Sequence, residues 1–171
     1  MNIRKHIPRG FLFILVGFFA VFGCNSNASS DREAPNFSLS DLSGRTTSLK
    51  DYRGTVVLLD FWATWCPPCR LSIPELVQIQ AEYRDQGVTV LGISMDDPGQ
   101  FPDAYLKAFK EKYQINYPIL RGDQEVMEKY FGNAPPAIPT MFVIDRQGQI
   151  RERIVGFSPG AVEDSLENLL E

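Results

Sequence analysis

Thr55–Arg70 reads TVVLLDFWATWCPPCR. Its first part, Thr55–Phe61, is β-branched and almost continuously apolar, the pattern of a strand buried on both faces. From Cys66 to Gln86 the apolar residues Leu71, Leu76, Ile79 and Tyr83 recur at helical spacing, with Gly87 just beyond. Pro74 falls inside that helix and is expected to kink it. The stretch is therefore a strand-to-helix junction carrying Trp65-Cys66-Pro67-Pro68-Cys69. At a helix start, unpaired backbone N–H groups and the helix dipole stabilise a thiolate on Cys66, lowering its pKa below the ~8.5 of a free thiol. Cys69 lies one turn later, within reach of Cys66. A mixed disulfide formed on Cys66 can then be resolved by Cys69. Pro67 occupies a position where a helix tolerates proline, and Trp65 is placed to cover the exposed sulfur.

Two other readings of the cysteine pair are a structural disulfide and half of a zinc site. A bridge closing so short a loop restricts the unfolded chain little, and a zinc site needs four ligands. The 171 residues contain three cysteines and one histidine, His6. Three cysteines cannot staple a chain of this length, and one histidine beside the initiator argues against most metalloenzymes and against Ser-His-Asp chemistry. No metal site and no cofactor is expected. At 44% hydrophobic and 22% charged residues, the composition is that of about one globular domain.

Outward from the junction, the chain alternates elements. Phe37–Leu39 and Thr46–Leu49 flank Asp41-Leu42-Ser43-Gly44, a hairpin signal. Val88–Met95 reads as a second buried strand, Ala104–Tyr113 as a helix, Tyr117–Leu120 as a short strand and Gln124–Phe131 as a short helix. Thr140–Asp145 and Ile150–Val155 pair around Arg146-Gln147-Gly148. Ser158–Leu170 closes as a helix, with Ser158 suited to the N-cap and Pro159 to the first helical position. The order implies an α/β sandwich with a mixed central sheet, without internal repeats or a dividing linker.

Upstream, Met1–Gly10 carries Arg4, Lys5 and Arg9 with no acid, and Phe11–Phe22 is apolar. Twelve helical residues span roughly 18 Å, short of the ~30 Å hydrocarbon core, so residues 1–24 read as an export signal. Gly23-Cys24 resembles a bacterial lipobox, in which Cys24 is lipidated and becomes the mature N-terminus. Ordinary cleavage nearby and an uncleaved anchor are the alternatives. Residues 25–34, rich in Ser and Asn, form a flexible tether, and residues 35–171 the folded domain. Loss of Arg4, Lys5 and Arg9 with the signal takes the net charge from −4 to −7, which disfavours nucleic acid as a partner.

Asp60-Phe61-Trp62-Ala63-Thr64-Trp65-Cys66-Pro67-Pro68-Cys69-Arg70 resembles a thioredoxin-fold active site. The pattern from about Ala34 to Glu171 is similar to the exported TlpA/ResA-like branch, with AhpC/TSA-type redoxin relatives. The segment between Met95 and Pro139, then Ile138–Asp145 and Gly148, carry that likeness. The resemblance implies a thioredoxin-like sandwich with an N-terminal β-hairpin and a central insertion. It implies that Cys66 and Cys69 form a redox-active disulfide and that Pro139 is a cis-proline facing it. Ile138 would offer its backbone to an extended substrate, beside a surface formed by Trp65, Pro67 and Pro68. Without the resemblance, Pro135, Pro136 and Pro139 could not be ranked. Asp60 ends the buried strand, where desolvation raises a carboxyl pKa towards neutrality, and it is the candidate base for Cys69, acting through water. A surface-facing Asp60 with no role is the alternative. Ser72 stands where many relatives place a glutamate.

The implied activity is an exported thiol-disulfide oxidoreductase on the periplasmic side of a bacterial envelope, anchored through Cys24. It would reduce protein disulfides, for example those of apocytochrome c haem sites, and be renewed by a membrane thiol electron donor. Competing classes are a thiol peroxidase and a copper chaperone. The first places a threonine three residues before its nucleophile, where this chain has Ala63, and the second adds a histidine.

Overall fold

The computed structural model describes residues 33–170. The export signal, His6, Cys24 and most of the expected tether lie outside those residues. Where the tether was expected to end, Glu33 bridges to Gln149 and pairs with Arg53 at 2.6 Å. Ala34 is buried and its N–H donates to the Gly148 carbonyl at 2.9 Å. The folded domain therefore takes in both residues. Burial and backbone bonding hold them, which their polar surroundings in sequence do not reveal.

In chain order the elements are β1 (Ser38–Ser40), β2 (Thr46–Ser48), β3 (Val56–Trp62), α1 (Pro67–Tyr83), β4 (Val88–Ser94), α2 (Asp103–Lys112), β5 (Ile119–Arg121), α3 (Gln124–Phe131), β6 (Thr140–Ile144), β7 (Ile150–Val155) and α4 (Ala161–Leu170). β1 and β2 make the hairpin, antiparallel with Leu39 opposite Thr47. The other five strands form one mixed sheet in the order β5-β4-β3-β6-β7. β3 runs parallel to β4 and antiparallel to β6, so it lies at the centre. This is the expected sandwich, with α2, β5 and α3 as the central insertion between β4 and β6.

All seven residues of β3 are buried, because both faces of the sheet are covered. Val56, Leu58 and Trp62 pack with Ile73, Leu76 and Ile79 of α1, Leu106 and Phe109 of α2, and Val162 and Leu166 of α4. The alternate residues Val57, Leu59 and Phe61 pack with Phe37, just before the hairpin, Leu39 of β1, and Val126 and Tyr130 of α3. Each such side chain contributes roughly 1.5–3 kcal/mol on burial. By strand alternation Asp60 belongs to the first face, with Trp62.

Most element boundaries differ from expectation by a residue or so, and α1 ends at Tyr83 rather than Gln86, with Arg84–Gln86 forming a separate 3-10 turn. Two further differences have clear local reasons. Ser158 and Pro159 do not begin α4. Gly160 has φ +81, a left-handed conformation outside the helical range, and the helix starts at Ala161. Gly160 also donates its N–H to Glu75 Oε1 at 3.2 Å, tying the turn to α1. Tyr117 stays outside β5, which begins after Pro118; proline has no N–H for the ladder. α1 continues through Pro74 to Tyr83 as one helix.

Candidate active site

The strand-to-helix junction puts the cysteines at the first turn of α1. Cys66 is the N-cap, in extended backbone conformation, and Pro67 and Pro68 take the first two helical positions. Both prolines lack the N–H groups that a helix start leaves unpaired, so they fit without loss. The N–H of Cys69 donates to Cys66 Sγ at 3.2 Å. In the reduced protein that donor and the helix dipole favour negative charge on Cys66. Here the two sulfurs are joined as a disulfide, S–S 2.12 Å, with Cα atoms 5.3 Å apart. Cys66 retains 3% exposure and Cys69 none, so an incoming disulfide meets Cys66 first.

Opposite the dithiol, the Ile138–Pro139 peptide bond is cis, and the Ile138 carbonyl oxygen lies 3.8 Å from Cys66 Sγ. Thr140 Oγ1 donates to the Ala137 carbonyl at 2.6 Å and Gly156 N–H to the Pro139 carbonyl at 2.8 Å, which fix this turn to the start of β6 and the end of β7. Ser72 is buried, and its hydroxyl donates to the Cys69 carbonyl at 2.9 Å.

Asp60 is fully buried, and among the described residues neither carboxylate oxygen has a hydrogen-bond partner. Burial alone pushes its pKa up to about 7. Across the parallel ladder it pairs with Gly92. A Cβ at 92 would stand 2.9 Å from Trp62 Nε1 and 3.3 Å from the Tyr117 ring. The Trp62 indole nitrogen and the Tyr117 hydroxyl are likewise buried without partners among the described residues. Burial first, and the Asp60 charge second, drive the Tyr117 hydroxyl well above its ordinary pKa. Three polar groups thus sit in a desolvated zone on the α1 side of the sheet.

Asp96 and Gly92 have no counterpart in the sequence expectations. Asp96, just after β4, is buried and accepts from the Thr64 N–H, from Thr64 Oγ1 at 2.7 Å and from Ser94 Oγ at 2.9 Å. It anchors the loop that delivers Cys66 and commits the Thr64 hydroxyl to itself. An acidic residue directly after a buried strand was the available signal, but its partner lies 32 positions away.

Exposed apolar side chains occur near this centre. Among the described residues the exposed large hydrophobic side chains are Trp65, Leu71, Tyr105 and Val155. Trp65 adjoins Cys66, Leu71 is on the second turn of α1, Tyr105 lines a cavity with Thr64 and Arg70, and Val155 pairs with Thr140 beside Pro139.

The model of the AhpC/TSA family matches residues 31–153. The chain is similar to the thiol-disulfide oxidoreductase ResA of Bacillus anthracis, 33% identical over 140 residues that cover 82% of this chain and 76% of that protein. It is 37% identical over 123 residues to ResA of Geobacillus thermodenitrificans (strain NG80-2), covering 72% of this chain and 67% of the other. Among solved structures, a thiol:disulfide interchange protein of the thioredoxin family from Chlorobium tepidum TLS superposes with TM-score 0.71 at 30% identity. The match covers 82% of this chain and 97% of that one.

Proposed function

The chain belongs to the AhpC/TSA family and is a thiol-disulfide oxidoreductase; from that premise we propose that it reduces protein disulfides in the bacterial cell envelope. The observation that carries this reading is the pairing of a helix-capping Cys66 with a wholly buried Cys69 opposite the Ile138 carbonyl.

In the reduced protein the Cys66 thiolate attacks one sulfur of a substrate disulfide. A Cys66–substrate disulfide forms, and the other substrate sulfur leaves as a thiolate that takes a proton from water. The substrate segment lies along Ile138 and Pro139, over Trp65, Pro67 and Pro68, and exchanges backbone hydrogen bonds with Ile138. Cys69 then gives its proton, through water, to the Asp60 carboxylate, half ionised near pH 7, and attacks Cys66 Sγ. The second substrate thiolate departs and the Cys66–Cys69 disulfide closes. Two electrons have passed from protein to substrate, and a membrane thiol donor returns them.

The amino-terminal features support the location. A basic head, a short apolar run and Gly23-Cys24 are the ingredients of an exported lipoprotein. An export signal cleaved before Cys24, with a lipid on Cys24, would put the domain at the outer side of a membrane, where disulfides form. Apocytochrome c haem-site cysteines are a substrate consistent with that place.

Equilibration of the purified protein with glutathione or dithiothreitol buffers tests the direction. A potential near the ~ −270 mV of thioredoxin, with reduction of a Cys-x-x-Cys-His disulfide peptide, supports the reductase. A potential near the ~ −120 mV of a strong oxidant contradicts it.

A further inference from the structure

Next to the loop that carries the dithiol lies a cavity of about 250 Å³ lined by Thr64, Arg70, Tyr105, Phe109, Lys112 and Tyr113. Thr64 and Arg70 come from the segments that bracket the cysteines, and the other four from α2 and its end, so the cavity joins the catalytic loop to the central insertion. Phe109 and Tyr113 stack at 4.3 Å, and Phe109 rests in turn on Trp62. They make a rigid aromatic wall. Lys112 stands 5.7 Å over the Tyr113 ring.

The lining carries two cations and no carboxylate. Among the described residues neither Arg70 nor Lys112 forms an ion pair. The carboxylate in contact with Thr64, that of Asp96, is buried and already accepts from the Thr64 and Ser94 hydroxyls. In a chain of net charge −4, two cations without an ion pair among the described residues thus line a cavity that Thr64 and Arg70, on either side of the cysteines in sequence, share with the exposed Tyr105.

We propose that this cavity is a substrate-selecting subsite that takes an acidic side chain, Asp or Glu, from the polypeptide flanking the target disulfide. The inference rests on the protein-disulfide reductase reading above. The carboxylate pairs with the Arg70 guanidinium, whose planar fork suits two parallel hydrogen bonds. Its methylene stem lies on the Phe109–Tyr113 wall, and Lys112 supplies the second charge. Exposed pairs of this kind are individually weak, so the subsite ranks substrates and steers their approach without holding them tightly.

The test follows exchange between the reduced full-length protein in detergent and two cyclic disulfide peptides. The peptides are identical except that Glu-Ser-Glu or Lys-Ser-Lys follows the second cysteine. Each rate is divided by that of the small neutral hydroxyethyl disulfide with the same protein, which removes any change in thiol reactivity. At low salt the wild type favours the acidic peptide by roughly fivefold, and the preference shrinks towards unity at ~1 M salt, where the Debye length is ~3 Å. Combined Arg70→Glu and Lys112→Glu replacement reverses it, and Lys112→Gln alone reduces it. Equal normalised rates in the wild type, or a preference that survives charge reversal, overturn the subsite. Failure of the wild type with both peptides while hydroxyethyl disulfide reacts contradicts the reductase reading itself.

Discussion

Asp60 faces Gly92 across the β3–β4 ladder, and the space a side chain at 92 would occupy is taken by Trp62 Nε1 and the Tyr117 ring. An ionisable carboxyl is thereby walled off by two aromatic residues and, among the described residues, is given no hydrogen-bond partner. This arrangement costs stability, because a charge is being kept from water. In the proposed mechanism the same carboxyl, with its pKa pushed up to about 7, is the proton acceptor for the resolving cysteine.

The cost has a definite pH signature. Burial raises the Asp60 pKa from 3.8 to about 7. Between about pH 4 and pH 7 the unfolded chain loses this proton while the folded chain keeps it. Stability therefore falls as pH rises through that window, and levels off above it. Asp60→Asn removes the ionisation at nearly constant shape. Its Tm advantage over wild type is expected to widen from pH 5 to pH 8, measured on the oxidised proteins. A difference that stays flat with pH contradicts a buried titrating Asp60.

Gly92 is required by close approach. A methyl group there would stand 2.9 Å from Trp62 Nε1, and Gly92→Ala is expected to destabilise by ~1–3 kcal/mol through overpacking. Urea unfolding measures this directly. Because Trp62 and Tyr117 must shift to admit the methyl group, the Asp60-dependent pH profile is expected to move as well. An unchanged midpoint and profile would contradict the packing described.

The Asp96 anchor separates loop order from sulfur chemistry. Asp96→Asn places an N–H2 group opposite the Thr64 and Ser94 donors and is expected to cost ~2–3 kcal/mol. Thr64→Val removes one hydroxyl bond and is expected to cost ~1 kcal/mol. Both should slow disulfide exchange in the order of their unfolding energies, as measured by urea titration and peptide reduction. Full activity in a destabilised Asp96→Asn protein would mean that the anchor holds the fold but not Cys66.

The part of the site that lies along a single stretch of chain was legible in the sequence. Asp60, Cys66 and Cys69 belong to one strand-turn-helix unit, whose periodicity and proline placement are local properties. The elements around it were legible for the same reason, down to the limits of α3 and β7. Pro139 was distinguished from Pro135 and Pro136 only by resemblance, since nothing local tells which proline a sheet will bring opposite a distant sulfur. Asp96, Gly92 and Tyr117 depend on strand register, which sets partners tens of residues apart. The start of α4 was misplaced because Ser158-Pro159 is a good helix opening, and the left-handed turn at Gly160 overrides it. Glu33 and Ala34 were assigned to the tether because their bonds to Gly148 and Gln149 come from the far end of the chain.

The asymmetry between the two cysteines is the centre of the account, and mixed-disulfide trapping tests it most directly. Cys69→Ala and Cys66→Ala proteins are each reduced, mixed with a disulfide-containing protein such as insulin, quenched with acid and analysed by intact mass and peptide mapping. The account predicts a stable adduct through Cys66 in Cys69→Ala and at most a trace in Cys66→Ala. Adducts of equal yield on both cysteines, or an adduct carried by Cys69 alone, would contradict it.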